Sequence, residues 1–419
     1  MRFPVQLFVF AFLGWAFDFY DLVLIGFLKE PVTAELHLTH ATEALMLTTA
    51  LCTSGIGGIV SGMLADRVGK RTLLSATVLT YSLGSLITGL APSAGVFLLG
   101  RAIVGLGVGG EWAIGHSMVA EAVAPNMRGR FSALLQAGEP AGVALAAVVG
   151  YLLAPVIGWR WVLIGSSATA LLALVARRSI HIPNTPAGAV PSLRSLSNAG
   201  VPSRFFRAWL LGVFKLGTYW SCYIWLPGFL LRQMHQSVAR SVTWMLTAQL
   251  GQLLGMLTFG AYADRFGRRQ AFCLYSLLTA AALAPLAYRW QSLSTHPVAF
   301  WAVMFALGVG SGCTAGFGAL LAELFPSEIR AGAMGTTYNL ARAAQLGTPL
   351  IVSVAVQGYG LAGGLSVPIC LALLTASWVW TLPETRGITL PSLGTRLARR
   401  EPLDTNRSIA SQARLSSGS

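Results

Sequence analysis

Long apolar runs separated by short polar turns dominate this chain. Runs of ~20 residues, long enough to cross a hydrocarbon layer as helices, fall at about 5–28, 44–64, 72–91, 95–120, 131–154, 159–177, 205–231, 241–263, 270–288, 297–322, 332–356 and 362–382. These twelve predict membrane helices, six on each side of a Pro-, Ser- and Arg-rich break at about 178–204.

One polar turn occurs twice. Gly62-Met63-Leu64-Ala65-Asp66-Arg67-Val68-Gly69-Lys70-Arg71 returns as Gly260-Ala261-Tyr262-Ala263-Asp264-Arg265-Phe266-Gly267-Arg268-Arg269, 198 positions later. Leu106-Gly107-Val108-Gly109 returns as Leu307-Gly308-Val309-Gly310, and Glu121, Pro125 and Arg128 are echoed by Glu323, Pro326 and Arg330. The chain therefore divides into an N-terminal six-helix bundle (1–177), a linker (178–204), a C-terminal six-helix bundle running in the same direction (205–386) and a Ser/Arg-rich tail (387–419) expected to be disordered.

Composition agrees with a bilayer as solvent. Of 419 residues 54% are hydrophobic and 11% charged, with a mean hydropathy of +0.65. The net charge of +14 acquires its meaning from position. Of 29 lysines and arginines, Arg101, Lys215 and Arg342 lie within spans. Lys29, Arg160, Arg232, Arg240 and Arg289 fall on one side, and the rest fall on the side of the repeated hairpins. Positive residues stay inside, so that side and both termini are expected in the cytoplasm of a multi-pass cell-membrane protein. No polar domain exists to hold nucleic acid. Cys52, Cys222, Cys273, Cys313 and Cys370 lie in apolar spans without a CxxC pair, so neither a disulfide framework nor a metal site is expected. The first span contains Asp18 and Asp21 and lacks a small-residue cleavage site, unlike a cleaved signal.

At this point the chain resembles the major facilitator superfamily over nearly its whole length. The family pattern G-x-L-A-D-R-x-G-R/K-R/K is complete in the first hairpin, and the second has Tyr262 for leucine. Arg101, Gly105, Gly107 and Gly109 match R-x-x-x-G-x-G-x-G, and Pro383-Glu384-Thr385-Arg386-Gly387 is similar to a motif after helix 12. The resemblance implies an all-α membrane fold, with twelve helices in two pseudo-symmetric bundles that rock about a central site. Within the superfamily, Gly14-Trp15-Ala16-Phe17-Asp18-Phe19-Tyr20-Asp21 and Gly109-Gly110-Glu111-Trp112 resemble sialate/lactate-type proton symporters. Tyr338-Asn339-Leu340-Ala341-Arg342 resembles these and the aromatic-acid symporters. Phe19 stands where the relatives commonly have glycine.

Several residues invite chemistry. Asp18 and Asp21 share a helix face at i, i+3. Acids inside a bilayer usually face a water-filled route and carry protons; Glu111 and Glu139 join them as candidates. The competing role for each acid is a fixed partner for a buried cation such as Arg101, and for Glu139 a kink before Pro140. Arg342 lies mid-span with Tyr338 and Gln345 on its face, and a guanidinium there matches a carboxylate substrate. A permanent ion pair with Glu111 is the bland alternative. Lys215, with Tyr219 and Tyr223 following on its face, is a second anion contact or a snorkelling lysine. Trp112, His116, Gln136, Trp220, Gln249, Gln252 and Asn339 are candidate lining, each also compatible with ordinary helix packing. In the hairpins, Gly62, Asp66, Arg67, Gly69 and Arg71, with Gly260, Asp264, Arg265, Gly267 and Arg269, read as a gating latch, because charge-based sorting requires lysine and arginine but neither Asp nor Gly.

No catalytic constellation and no Walker motif occurs, and Gly105-Leu106-Gly107-Val108-Gly109 lacks the strand a dinucleotide site needs. The expectation is a monomeric, cofactor-free, proton-coupled symporter of a small organic anion: a monocarboxylate, sialic acid or aromatic acid. The alternatives are a proton-coupled drug or metabolite exporter, to which Gly138-Glu139-Pro140-Ala141-Gly142 is partly similar, and a neutral-sugar transporter, which would leave Arg342 without a ligand. A non-transporting receptor is disfavoured by the short tail.

Overall fold

The computed structural model describes residues 5–169, 197, 200–234 and 238–390. Most of the expected linker, and the tail from 391, lie outside the described residues. The described chain is helical: α1 (Val5–Glu35), α2 (His40–Val68), α3 (Lys70–Gly89), α4 (Ala94–Ala122), α5 (Arg128–Ile157) and α6 (from Trp159–Ser166). The second set is α7 (Val201–Met234), α8 (Val238–Phe266), α9 (Arg268–Tyr288), α10 (Pro297–Leu324), α11 (from Arg330–Ala343) and α12 (Ala362–Thr381). α7 begins inside the stretch read as linker. Gly200, at φ 69°, ends the preceding turn, and Pro202 sits in the first helical turn, where its missing N–H costs nothing.

Eight of these helices are long and apolar enough to cross a membrane by length and composition alone. α11 falls short because Arg330, Asn339, Arg342 and Gln345 interrupt it. It is nevertheless central, packed on α2, α4 and α7. Polar residues mark the helices that line the middle of the molecule, whereas apolar side chains such as Leu250 and Leu350 stand exposed on its outer surface.

In the first half α4 packs on α2 and α3, and α1 packs on α5. In the second half α8 and α9 pack on α10, and α7 on α11 and α12. The halves meet along two seams, α2 against α11 and α5 against α8. Close approach explains the glycine run of α4: a Cβ on Gly109 would stand 1.9 Å from the Ser54 carbonyl oxygen of α2. Breaks in the helices fall where the sequence supplies a cause. α5 is interrupted at Ala137, three residues before Pro140, and carries a π turn at Val149–Leu153. α10 tightens to a 3-10 stretch at Gly312–Ala315, where Gly312 abuts the backbone of Gly255. α11 runs on through a 3-10 turn at Ala344–Gly347 to a kink at Tyr359–Gly360.

Overpacking at such a contact costs about 1–3 kcal/mol. Gly109→Val should therefore lower the melting temperature of the detergent-solubilised protein. Gly55→Ala, inside α2 at a glycine with open space around it, should not lower it and should raise it slightly, because alanine is the better helix former.

Candidate functional site

The site is built from α1, α4, α5, α7 and α11. Asp18 and Asp21 do share a face, but their surroundings separate them. Asp21 accepts from Arg101 Nη1 at 2.9 Å and from the Ser85 hydroxyl, and its backbone carbonyl accepts from Arg101 Nη2 at 3.4 Å. The acid and the arginine are both buried, so α1 and α4 are tied by a satisfied ion pair. Asp18 has no such partner. It is fully buried, and its carboxyl faces that of Glu111 on α4. Among the described residues neither group receives a hydrogen bond from any other donor. Gly14 makes the pair fit: a Cβ there would lie 1.5 Å from Glu111 Oε1.

Glu139 differs again. It accepts from Gln136 Nε2 at 2.8 Å and from the Tyr219 hydroxyl at 3.0 Å, and Gln136 Oε1 in turn accepts from Trp112 Nε1 at 3.0 Å. This chain of bonds runs from α4 through α5 to α7 and so crosses between the halves. Trp112 also meets the other half directly, stacked on Tyr338 of α11 with ring centroids 4.1 Å apart and planes 16° apart. Trp15 and Phe19 add an edge-on aromatic pair at 4.8 Å.

Arg342 is the cation of the centre. It lies twelve residues into α11, ~18 Å along the helix, and is only partly buried. It forms no hydrogen bond or ion pair among the described residues, while its charge acts on Asp18, Glu139 and Tyr338. The remaining predicted residues sit less directly. Lys215 is fully buried, and its ammonium has no hydrogen-bond partner among the described residues. Asn339 donates to the Gly335 carbonyl of its own helix and packs on Gly58 at the α2–α11 seam. Gln345 uses its amide on Val213, Ala341 and Thr348, fastening α11 to α7.

The hairpins form two matching contacts between the halves at the arginine-rich end. Gly69 (φ 106°) and Gly267 (φ 117°) make the turns, a conformation that only glycine adopts without strain. Asp66 accepts from the N–H groups of Ala331 (3.1 Å) and Gly332 (2.7 Å), at the start of α11. Asp264 accepts from Gly129 (2.8 Å) and Arg130 (2.9 Å), at the start of α5. Each aspartate thus satisfies two otherwise unpaired amides of the opposite half and sits at the positive end of that helix. Gly62 and Gly260 allow the approach, since a Cβ on either would meet a carbonyl oxygen at 2.7 Å.

Around these contacts lies a charge cluster that the motif reading missed. Arg268 bridges Asp264 (2.7 Å) and Glu323 (2.9 Å), and Glu323 also accepts from the Thr385 hydroxyl at 2.6 Å. Arg330 reaches Glu121 across the halves. Arg128 Nη1 lies 3.8 Å from Glu323 and donates to the Ile388 carbonyl at 2.7 Å. Glu384 accepts from the N–H groups of Arg268 and Arg269 at the start of α9. By contrast Arg67 and Arg265 are exposed. The signal that would have found the cluster was present, because Glu121/Arg128 and Glu323/Arg330 are repeat mates. Removing one member of a buried ion network costs about 3–5 kcal/mol. Arg268→Ala should therefore lower thermal stability markedly, and Arg265→Ala should scarcely change it.

Comparison with known proteins agrees with this architecture. The family model described as Major Facilitator Superfamily matches residues 7–248 and 237–414. A protein of Cupriavidus pinatubonensis named "Probable 4-methylmuconolactone transporter" is 30% identical, over 91% of this chain and 91% of its own length. The niacin transporter of Acinetobacter baylyi is 27% identical, over 91% and 94%. Among solved structures, a proton:xylose symporter superposes with a TM-score of 0.68 at 18% identity, covering 94% of this chain and 98% of that one. With this match and the two-bundle geometry, the chain belongs to the Major Facilitator Superfamily, a family of membrane transporters rather than enzymes.

Proposed function

We propose that this protein is a proton-coupled symporter of a planar, unsaturated organic acid. The observation that carries this reading is Arg342: a guanidinium midway along α11, without a hydrogen-bond or ion-pair partner among the described residues, beside the Trp112–Tyr338 stack. A guanidinium binds a carboxylate through paired hydrogen bonds. The flat faces of Trp112 and Tyr338 suit a conjugated or aromatic body. Niacin, a planar pyridine carboxylate, is the substrate named for one relative, and a muconolactone for another. A neutral sugar would leave Arg342 without a counter-charge.

Asp18 and Glu111 are the proton site in this reading. Two carboxylates in contact inside a bilayer repel unless a proton sits between them. Protonation of that pair and neutralisation of Arg342 by substrate together remove the charge that opposes closure of the halves. Asp21 holds α1 to α4 through Arg101, and Glu139, fixed by Gln136 and Tyr219, lies within electrostatic reach of Arg342 without pairing with it. Asp66 and Asp264 hold the latched state. The arginine-rich end faces the cytoplasm by the positive-inside rule, so the latched arrangement is cytoplasm-closed, with both termini inside and one chain as the working unit.

Uptake into proteoliposomes with an acidic exterior tests the reading. Labelled nicotinate and muconate should accumulate, and xylose should not. Indifference to the acids would sink the proposal. Arg342→Gln should weaken binding of the acid about ten- to a hundredfold, on the order of the 1.5–3 kcal/mol of a charged hydrogen bond, in folded protein. Asp18→Asn should abolish proton-driven accumulation while retaining exchange of labelled for unlabelled substrate. Full accumulation by that variant would remove Asp18 from the coupling.

A further inference from the structure

One contact between the halves belongs neither to the latches nor to the central site. Ser132 lies on α5 one turn beyond Arg128 and one turn before Gln136. About 6 Å of helix therefore separates it from the latch on one side and from the central site on the other. Its hydroxyl donates to the Ala315 carbonyl at 2.8 Å and accepts from the Ala319 N–H at 3.1 Å, both on α10 of the opposite half. Ala315 and Ala319 are the two ends of one helical turn, so a single hydroxyl clamps a whole turn. That turn follows the 3-10 stretch Gly312–Ala315, where hydrogen-bond geometry is poorer.

Gly318 lies within the clamped turn. A Cβ there would stand 2.6 Å from Ser132 Oγ and 1.9 Å from His116 Cδ2. His116 therefore lies directly over this glycine, held by Nδ1 against the Trp112 carbonyl at 3.0 Å and stacked beside the Trp112 ring at 4.8 Å. Ser132 and His116 are both buried, and Ala133, Met256 and Ala315 close the apolar side of the contact. The joint is one-sided. Arg128 and Arg330 are repeat mates 202 positions apart, and the same step from Ser132 reaches Met334, which has no hydroxyl.

We propose that Ser132, seated against Gly318 beneath His116, is the inner pin of the closed cytoplasmic gate: a positioning residue that releases α10 before the halves part on that side. The proposal goes beyond the organic-acid reading and rests only on the rocking of the halves. Its test therefore needs no substrate, and failure of the Arg342 reading leaves it standing. Spin labels on Met127→Cys and Ser327→Cys, at exposed loop positions of the two halves, report the gate distance in a chain whose native cysteines are replaced. Pulsed dipolar spectroscopy should find mostly the short distance. Ser132→Ala removes two hydrogen bonds made only in the closed state, and should raise the long-distance population about tenfold. Gly318→Ala, which drives a methyl into His116 and Ser132, should act in the same direction. Ser82→Ala removes a buried hydroxyl that pairs within the first half, with Thr169, and should leave the distribution unchanged. The proposal is overturned if Ser132→Ala keeps the wild-type distribution, or if Ser82→Ala shifts it as far. Should Ser132→Ala not yield folded protein, Gly318→Ala carries the test by the same criterion.

Discussion

Two carboxylates hold the halves of this protein together. Asp66 and Asp264 each accept two backbone N–H bonds from the first turn of a helix in the opposite half. The amides at a helix start have no partner within their own helix. An aspartate from across the seam supplies one and also meets the positive end of the helix dipole. The contact is strong when made, yet both sides find water when it opens. In the proposed transport cycle this is what a latch requires, since it must hold without being permanent. An apolar seam of the same area would expose its surface to water on opening, with no replacement for what was lost.

The same economy shapes the centre. Four acids enter the bilayer, and three environments sort them. Asp21 is neutralised by Arg101, and Glu139 is held by neutral donors. Asp18 and Glu111 are left facing each other. Arg342 has no hydrogen-bond or ion-pair partner among the described residues and lies beside a stacked pair of rings that bridges the two halves. Ionisable groups that are costly inside a bilayer are concentrated at this centre, where the proposed proton and anion would satisfy them together. The binding elements also belong to both halves, so occupancy of the centre is felt at the seam.

Much of the fold was legible in the residues. Apolar run length announces a membrane helix because a bilayer offers backbone amides no water, and the chain must satisfy them within each span. The doubled hairpin revealed two halves, since chemistry as specific as Asp between two glycines does not recur by chance at matching places. Arg342 stood out for a similar reason: a cation in mid-span demands an explanation. Legibility failed where a role depends on helix rotation. Asp18 and Asp21 look alike along the chain, and only the position of Arg101 tells them apart. Gln345 shares the spacing of Tyr338 and Arg342, but the 3-10 turn at Ala344–Gly347 breaks that face and turns its amide to α7. Arg268 looked like one basic residue among several, although it is the one buried between Asp264 and Glu323.

The amino-acid sequence by itself determined the solvent, the number of spans, the two-fold repeat and the place of the polar turns. Each of these follows from local chemistry read along one dimension: apolar length, glycine at turns, charge at ends. Tertiary structure alone decided which acid is paired, which cation is left open, and which serine reaches across to the other half. Those outcomes depend on distances between residues far apart in the chain. A shift of one turn in the packing of two helices would assign them to different partners.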